Sequence, residues 1–240
     1  MAFPQTHRSV VLAVRSGDKE ERARALETVI AAYWRPVHRH LVMRRRESDE
    51  DARDLTQGFF AAALEKGWLA RFDPGRGRFR TYLLACLDAY AAKERRARRR
   101  LKRGGEAAFV PLETTGEDGE ARELPLADGS DLEAEFQREW ARSLFALAVE
   151  ELRGRCDRSG RQVAFALFER YDVEGADDEE RPSYARLAEE HGLPVTQVTN
   201  HLHWARRELR EAVLEKLREV TASEEEFRAE ARARLGVDTR

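Results

Sequence analysis

The sequence is poor in cysteine, in proline and glycine, in alternating β-branched residues and in long apolar runs, and each shortage closes off a class of protein. Cys86 and Cys156 stand alone, without CxxC spacing, so neither a disulfide framework nor a cysteine zinc site is expected. Cys86 falls in the apolar run Tyr82-Leu83-Leu84-Ala85-Cys86-Leu87 and reads as a small core residue. No apolar run approaches the roughly 20 residues that span a bilayer, and residues 1–17 lack the apolar core of a signal peptide. The expectation is a soluble cytoplasmic protein with no membrane partner. Only 7 prolines and 15 glycines interrupt 240 residues rich in Ala, Leu, Glu and Arg, a composition that favours helix. Alternating Val/Ile/Thr runs are nearly absent, so the fold class expected is all-α.

Charge is plentiful but segregated. The formal net charge is only -2, yet residues 93–103 are almost wholly basic, and residues 106–139 are acidic with Arg122 and Arg138 as their only cations. A basic block beside an acidic one points to a polyanion partner and a segment held off it. A solvated helical face followed by a linker explains the same pattern.

Leu26, Val29, Ile30, Tyr33, Trp34, Val37, Leu41 and Val42 recur at three-to-four spacing, predicting an amphipathic helix over residues 20–46. Pro36 is expected to kink it or to begin a new helix. Ser48 caps a following helix, with Asp51 as a short version of the capping-box acid. That helix buries Ala52, Leu55, Phe59, Phe60, Ala63 and Leu64 and ends at Gly67. A turn-rich basic loop, residues 72–78, leads into a long helix over residues 79–102, whose second half is the arginine run. Two small helical domains are expected, residues 1–103 and 132–220. A flexible acidic linker at 104–131 joins them, and an acidic tail, either a helical regulatory extension or a loose end, occupies 221–240.

The second domain carries the more informative local pattern. Residues 183–191 read as a short helix, Gly192 as its left-handed cap, Leu193 as a core plug and Pro194 as a helix-start residue. A longer helix follows from Val195. This is helix-turn-helix spacing. Val198, Leu202, Ala205 and Leu209 face inward, leaving Thr196, Gln197, Thr199, Asn200, His203, Arg206 and Arg207 to meet base edges and phosphates. A plain helical hairpin shares this outline.

Two segments in this order resemble extracytoplasmic-function (ECF) sigma factors. Asp51-Ala52-Arg53-Asp54-Leu55-Thr56-Gln57-Gly58-Phe59-Phe60 looks like that family's polymerase-docking helix, and residues 68–83 are similar to its loop and promoter-melting helix. Residues 192–207 resemble its reader of the upstream promoter element. The opening Arg8-Ser9-Val10-Val11-Leu12-Ala13, the Tyr33-Trp34-Arg35-Pro36 turn, the arginine run ending in Gly-Gly and the acidic tail resemble a subgroup familiar from planctomycete-like bacteria. The resemblance implies a non-enzymatic protein that docks on core RNA polymerase through Asp51, Asp54 and Gln57. Arg78, Arg80, Tyr82 and the face bearing Lys93, Arg95, Arg96 and Arg99 would hold the melted strand of promoter DNA, and the helix from Val195 would read duplex. An anti-sigma protein stays open as a further partner. Two departures stand out. Gly58 replaces a frequent acid, implying either a weaker contact or a close backbone approach. Thr199 and His201 replace frequent Lys and Arg, which lowers phosphate affinity.

Two other readings compete. A stand-alone helix-turn-helix regulator explains residues 195–207 but leaves Asp51–Phe60 as plain core. A nuclease would need Asp49, Glu50, Asp51 and Asp54 to converge, but adjacent helical positions diverge. His38/His40 and His201/His203 likewise fall on different faces. No phosphate loop or nucleophile motif is present, so no cofactor and no metal are expected.

Overall fold

The computed structural model describes residues 9–14, 16, 18–102, 129–176 and 181–236. Among them the regular elements are all helical: α1 (Val10–Ala13), α2 (Lys19–Arg45), α3 (Asp49–Glu65), α4 (Phe79–Lys102), α5 (Gly129–Arg158), α6 (Gln162–Phe168), α7 (Tyr184–His191), α8 (Val195–Val220) and α9 (Glu224–Leu235). The all-α expectation holds. Residues 104–128, most of the expected linker, lie outside the described residues, and positions 129–131 form the first turn of α5. The chain divides into two compact units, one made of Met1–Tyr33 with Trp140–Arg240, the other of Trp34–Glu139.

Within the unit Trp34–Glu139, α2 continues through Pro36 as one helix, and no new helix starts there. Proline removes a single backbone donor, and the buried ring adds to the apolar face. Ser48 caps α3: its hydroxyl accepts from the Asp51 N–H at 3.1 Å and donates to the Asp51 carboxylate at 2.8 Å. The buried stripe of α3 is Ala52, Leu55, Thr56, Phe59, Phe60 and Ala63. Leu64, expected inside, is 41% exposed, because at 100° per residue it falls beyond the edge of that stripe. Two short turns, Leu69–Arg71 and Pro74–Arg76, bury Leu69 and Phe72 and lead to α4. That helix runs unbroken through the arginines to Lys102. Val37, Leu41, Phe59, Leu83, Leu87 and Phe136 are all buried in this unit. At its edge Asp88 receives Arg44 at 2.8 Å and lies 3.5 Å from His40. Cys86, expected in the core, is only half-buried.

The other unit packs α6, α7 and α8 around Leu152, Cys156, Phe165, Leu167, Phe168, Leu187, Val198 and Leu202. Arg155 of α5 reaches Glu151 at 3.3 Å, and Glu208 and Glu215 of α8 at 3.5 and 2.5 Å. Asp18 caps the start of α2 by accepting from the Glu20 and Glu21 N–H groups at 2.8 and 3.2 Å. These two bonds hold its carboxyl below the ordinary value. Beyond α8 the chain forms a further helix, the helical alternative for the tail. Ser223 caps α9, the Glu226 carboxylate accepts from the Ala222 N–H at 2.9 Å, and Phe227 is 1% exposed with the Arg218 guanidinium 4.1 Å above its ring. Both α1 and α9 pack on α8.

Candidate functional site

The three residues expected to dock a partner lie on α3, one turn apart. Asp54 and Gln57 are exposed. Asp51 is half-buried and receives Arg98 of α4 at 2.9 Å. Along the basic run, Arg95 is also engaged, 3.9 Å from Glu47, whereas Lys93, Arg96, Arg99 and Arg100 are exposed. Arg99 lines a groove with Glu47, Asp51, Arg95 and Arg98, so the run splits into a face turned to α3 and a cationic face of Lys93, Arg96 and Arg100 turned to solvent.

Gly58 faces α4 within the fold. A Cβ there would lie 2.4 Å from the Tyr90 hydroxyl oxygen, closer than any real contact, so glycine leaves room for Tyr90 of α4 against α3. Tyr90 completes an aromatic group with Phe59 at 5.8 Å and Trp68 at 6.2 Å between ring centroids.

The loop before α4 and the first turns of α4 enclose a cavity of about 380 Å³, lined by Arg71, Phe72, Asp73, Arg76, Gly77, Arg78, Thr81, Tyr82 and Ala85. Asp73 holds the loop by accepting from the Gly75 N–H at 3.0 Å. Tyr82 stacks obliquely on Phe72 at 5.6 Å and donates its hydroxyl proton to the Trp68 carbonyl at 2.7 Å. Burial, reinforced by the Cys86 thiol, pushes the Tyr82 phenol up to about 12, and burial likewise raises Cys86. The cavity thus offers neutral aromatic surface rimmed by guanidinium groups, the combination that accepts an unpaired base and its phosphates. Arg78 is exposed beside it, but Arg80 is 5% exposed, so its guanidinium lies within the fold. Arg71, Arg76, Trp68 and Tyr90 were not singled out from sequence. The spacing of Tyr82, Cys86 and Tyr90 reads equally well as core.

In the other unit, Gly192 adopts the left-handed conformation at φ 62, and the Leu193 N–H bonds to the Ala188 carbonyl at 2.9 Å. Thr196, Gln197, Thr199, Asn200, His203, Arg206 and Arg207 are all exposed on the first half of α8. Three of them have internal partners. Thr199 donates to the Val195 carbonyl at 3.1 Å. Arg206 forms a two-point bridge to Asp172, 2.9 Å at each contact, with the Tyr171 ring 5.4 Å away. The hydrogen bonds to Asp172 raise its pKa further above the ordinary arginine value. Arg207 lies 3.1 Å from Glu208. Asp172 is distant in sequence, so no local signal pointed to this clamp.

Among the described residues no cluster of three or more His, Cys, Asp or Glu side chains is arranged to hold a metal ion, and no helix is long and apolar enough to cross a membrane.

Residues 30–101 match the family model of sigma-70 region 2. The matched span holds the rest of α2, α3, the loop and α4, which is the part that carries Asp51, Asp54, Gln57, the cavity and the basic run. The match covers 72 of the 240 residues, and that span is similar to sigma-70 region 2. A search of curated proteins returned no match.

Proposed function

We propose that this protein is an ECF sigma factor of the planctomycete-like subgroup, acting in the cytoplasm. It docks on core RNA polymerase mainly through Asp54 and Gln57, while Asp51 orders the Arg98 side of the basic run. Tyr82, Arg78 and the exposed Lys93, Arg96 and Arg99 hold the melted promoter strand. Residues 183–207 act as a helix-turn-helix in which Thr196, Gln197, Asn200, His203 and Arg207 meet the duplex, with Arg206 fixing the helix through Asp172. An anti-sigma protein would compete for the docking edge.

The observation that supports this most is that one matched span, residues 30–101, holds an aromatic cavity rimmed by Arg71, Arg76 and Arg78. Unpaired bases need a planar stacking partner and their phosphates need cations. The test is gel filtration of wild type and the Asp54→Ala/Gln57→Ala variant with bacterial core RNA polymerase. Co-elution is expected for wild type and should be weakened in the variant. No co-elution of folded wild-type protein, with a control sigma factor binding, would leave a stand-alone DNA-binding regulator as the better reading.

A further inference from the structure

We propose that Asp172 limits the affinity of α8 for duplex DNA: it holds the Arg206 guanidinium in an internal bridge and so withholds one phosphate contact from the helix. The proposal deepens, and rests on, the reading of α8 as the duplex-facing helix.

Arg206 stands on the same half of α8 as Thr196, Gln197, Asn200 and His203. An exposed arginine beside such residues ordinarily reaches a phosphate. Here its three side-chain nitrogens are all turned to the protein. Nε donates to Oδ2 of Asp172 and Nη2 to Oδ1, each at 2.9 Å. Nη1 points to the Tyr184 hydroxyl at 3.5 Å, and the Tyr171 ring centroid lies 5.4 Å from the guanidinium carbon. A two-point arginine–carboxylate pair matches the planar fork and is stronger than a single contact. Arg207 differs. It makes a one-point contact with its chain neighbour Glu208 at 3.1 Å, and its side chain is 58% exposed.

The carboxylate is held as firmly as the arginine. Asp172 lies in a π-helical turn, Glu169–Val173, that continues α6, a geometry rare in proteins and frequent at functional sites. The chain then kinks at buried Gly175, where a Cβ would stand 3.2 Å from the Arg181 Cα and 3.3 Å from the Arg170 carbonyl oxygen. Arg181 ties this return by donating from Nε to the Gly175 carbonyl at 2.8 Å, and its guanidinium lies 5.3 Å from the Tyr171 ring. Tyr171 meets Tyr184 edge-on with centroids 4.9 Å apart, and both rings pack on the core of this unit. The Asp172 side chain is only 24% exposed, so salt screens the bridge less than it screens a surface pair.

Phosphate contacts carry no sequence information, and they supply essentially all of the affinity for random duplex. A cation kept off the phosphates lowers binding to every sequence alike. Base edges are left to Thr196, Gln197, Asn200 and His203. The helix then holds random duplex weakly and relies on the rest of the chain, and on the partner to which the chain docks, to raise its local concentration at a site. Bracing α8 against the π turn is a separate consequence of the same bridge. Salt dependence separates the two, because it counts phosphates and not stability.

The test uses the full chain and a short duplex of random sequence, with affinity read by fluorescence anisotropy over a series of salt concentrations. Arg207→Gln removes a cation that meets the duplex and should flatten the slope of log affinity against log salt by about 0.9. Arg206→Gln should leave the slope as in wild type. Asp172→Asn frees Arg206 and should steepen it by about 0.9, and Asp172→Asn/Arg206→Gln should return it to the wild-type value. Circular dichroism identifies a variant that fails to fold, and Arg206→Gln decides without any change at position 172. A flatter slope for Arg206→Gln, no change for folded Asp172→Asn, or a steepening that survives in the double variant would overturn the proposal and leave the reading of α8 intact. No binding by wild type, or an Arg207→Gln slope equal to wild type, would overturn the duplex-facing reading of α8, and the role of Asp172 with it.

Discussion

Gly58 carries two opposing effects at a single position. In a helix interior glycine costs about 1 kcal/mol relative to alanine, yet here a Cβ would meet the Tyr90 hydroxyl at 2.4 Å while standing at an ordinary 3.6 Å from the ring carbon that bears it. Gly58→Ala alone should therefore gain no stability. In a Tyr90→Phe background the same change should stabilise by about 1 kcal/mol. Urea unfolding of the four proteins measures this coupling, and additive effects would refute the packing explanation. A second prediction concerns Glu151. Burial pushes its carboxyl up, but hydrogen bonds from Arg155 and Arg158 outweigh burial and hold the pKa below the ordinary glutamate value. A lowered folded pKa means the contribution is complete above the unfolded value and disappears as pH falls through the folded one. Glu151→Gln should be less stable than wild type by about 1 kcal/mol at neutral pH, with the gap closing below pH of about 4.3. A gap that persists at low pH would mean the glutamate acts by packing. Residues whose role depends on immediate neighbours were legible in the sequence: Ser48 as a cap and Gly192 as a left-handed turn. Arg206 and Arg80 were not, because Asp172 and the interior that encloses Arg80 are brought to them by tertiary folding.

At the scale of elements, α9 shows how an acidic stretch can hide a packing helix. Three glutamates in its first turn give residues 221–240 the composition of a solvated tail, but acids at a helix N-terminus also complement its dipole. Phe227, Glu230 and Ala231 are the buried residues, too short an apolar stripe to register as periodicity. Phe227→Ala should destabilise the protein by about 3 kcal/mol, read as a lower thermal midpoint, whereas a loose tail would show no change. The helices α2 to α4 were easier to read, since each repeats its apolar residues over several turns. At Pro36 the new-helix alternative fails, since α2 runs on through it.

At the scale of the whole molecule, a formal net charge of -2 coexists with a strongly cationic α4, so average charge says little about what the protein attracts. Chain order matters too. Residues 34–139 form a unit from one continuous stretch, whereas the other unit joins Met1–Tyr33 to Trp140–Arg240. A segment made early packs against one made much later: α1, with Val11 and Ala13 buried, lies on α8. Synthesis on the ribosome delivers the N-terminus first, so this apolar stretch must wait through most of translation for the helix that covers it. Those apolar side chains gain their full cover only once α8 has been made.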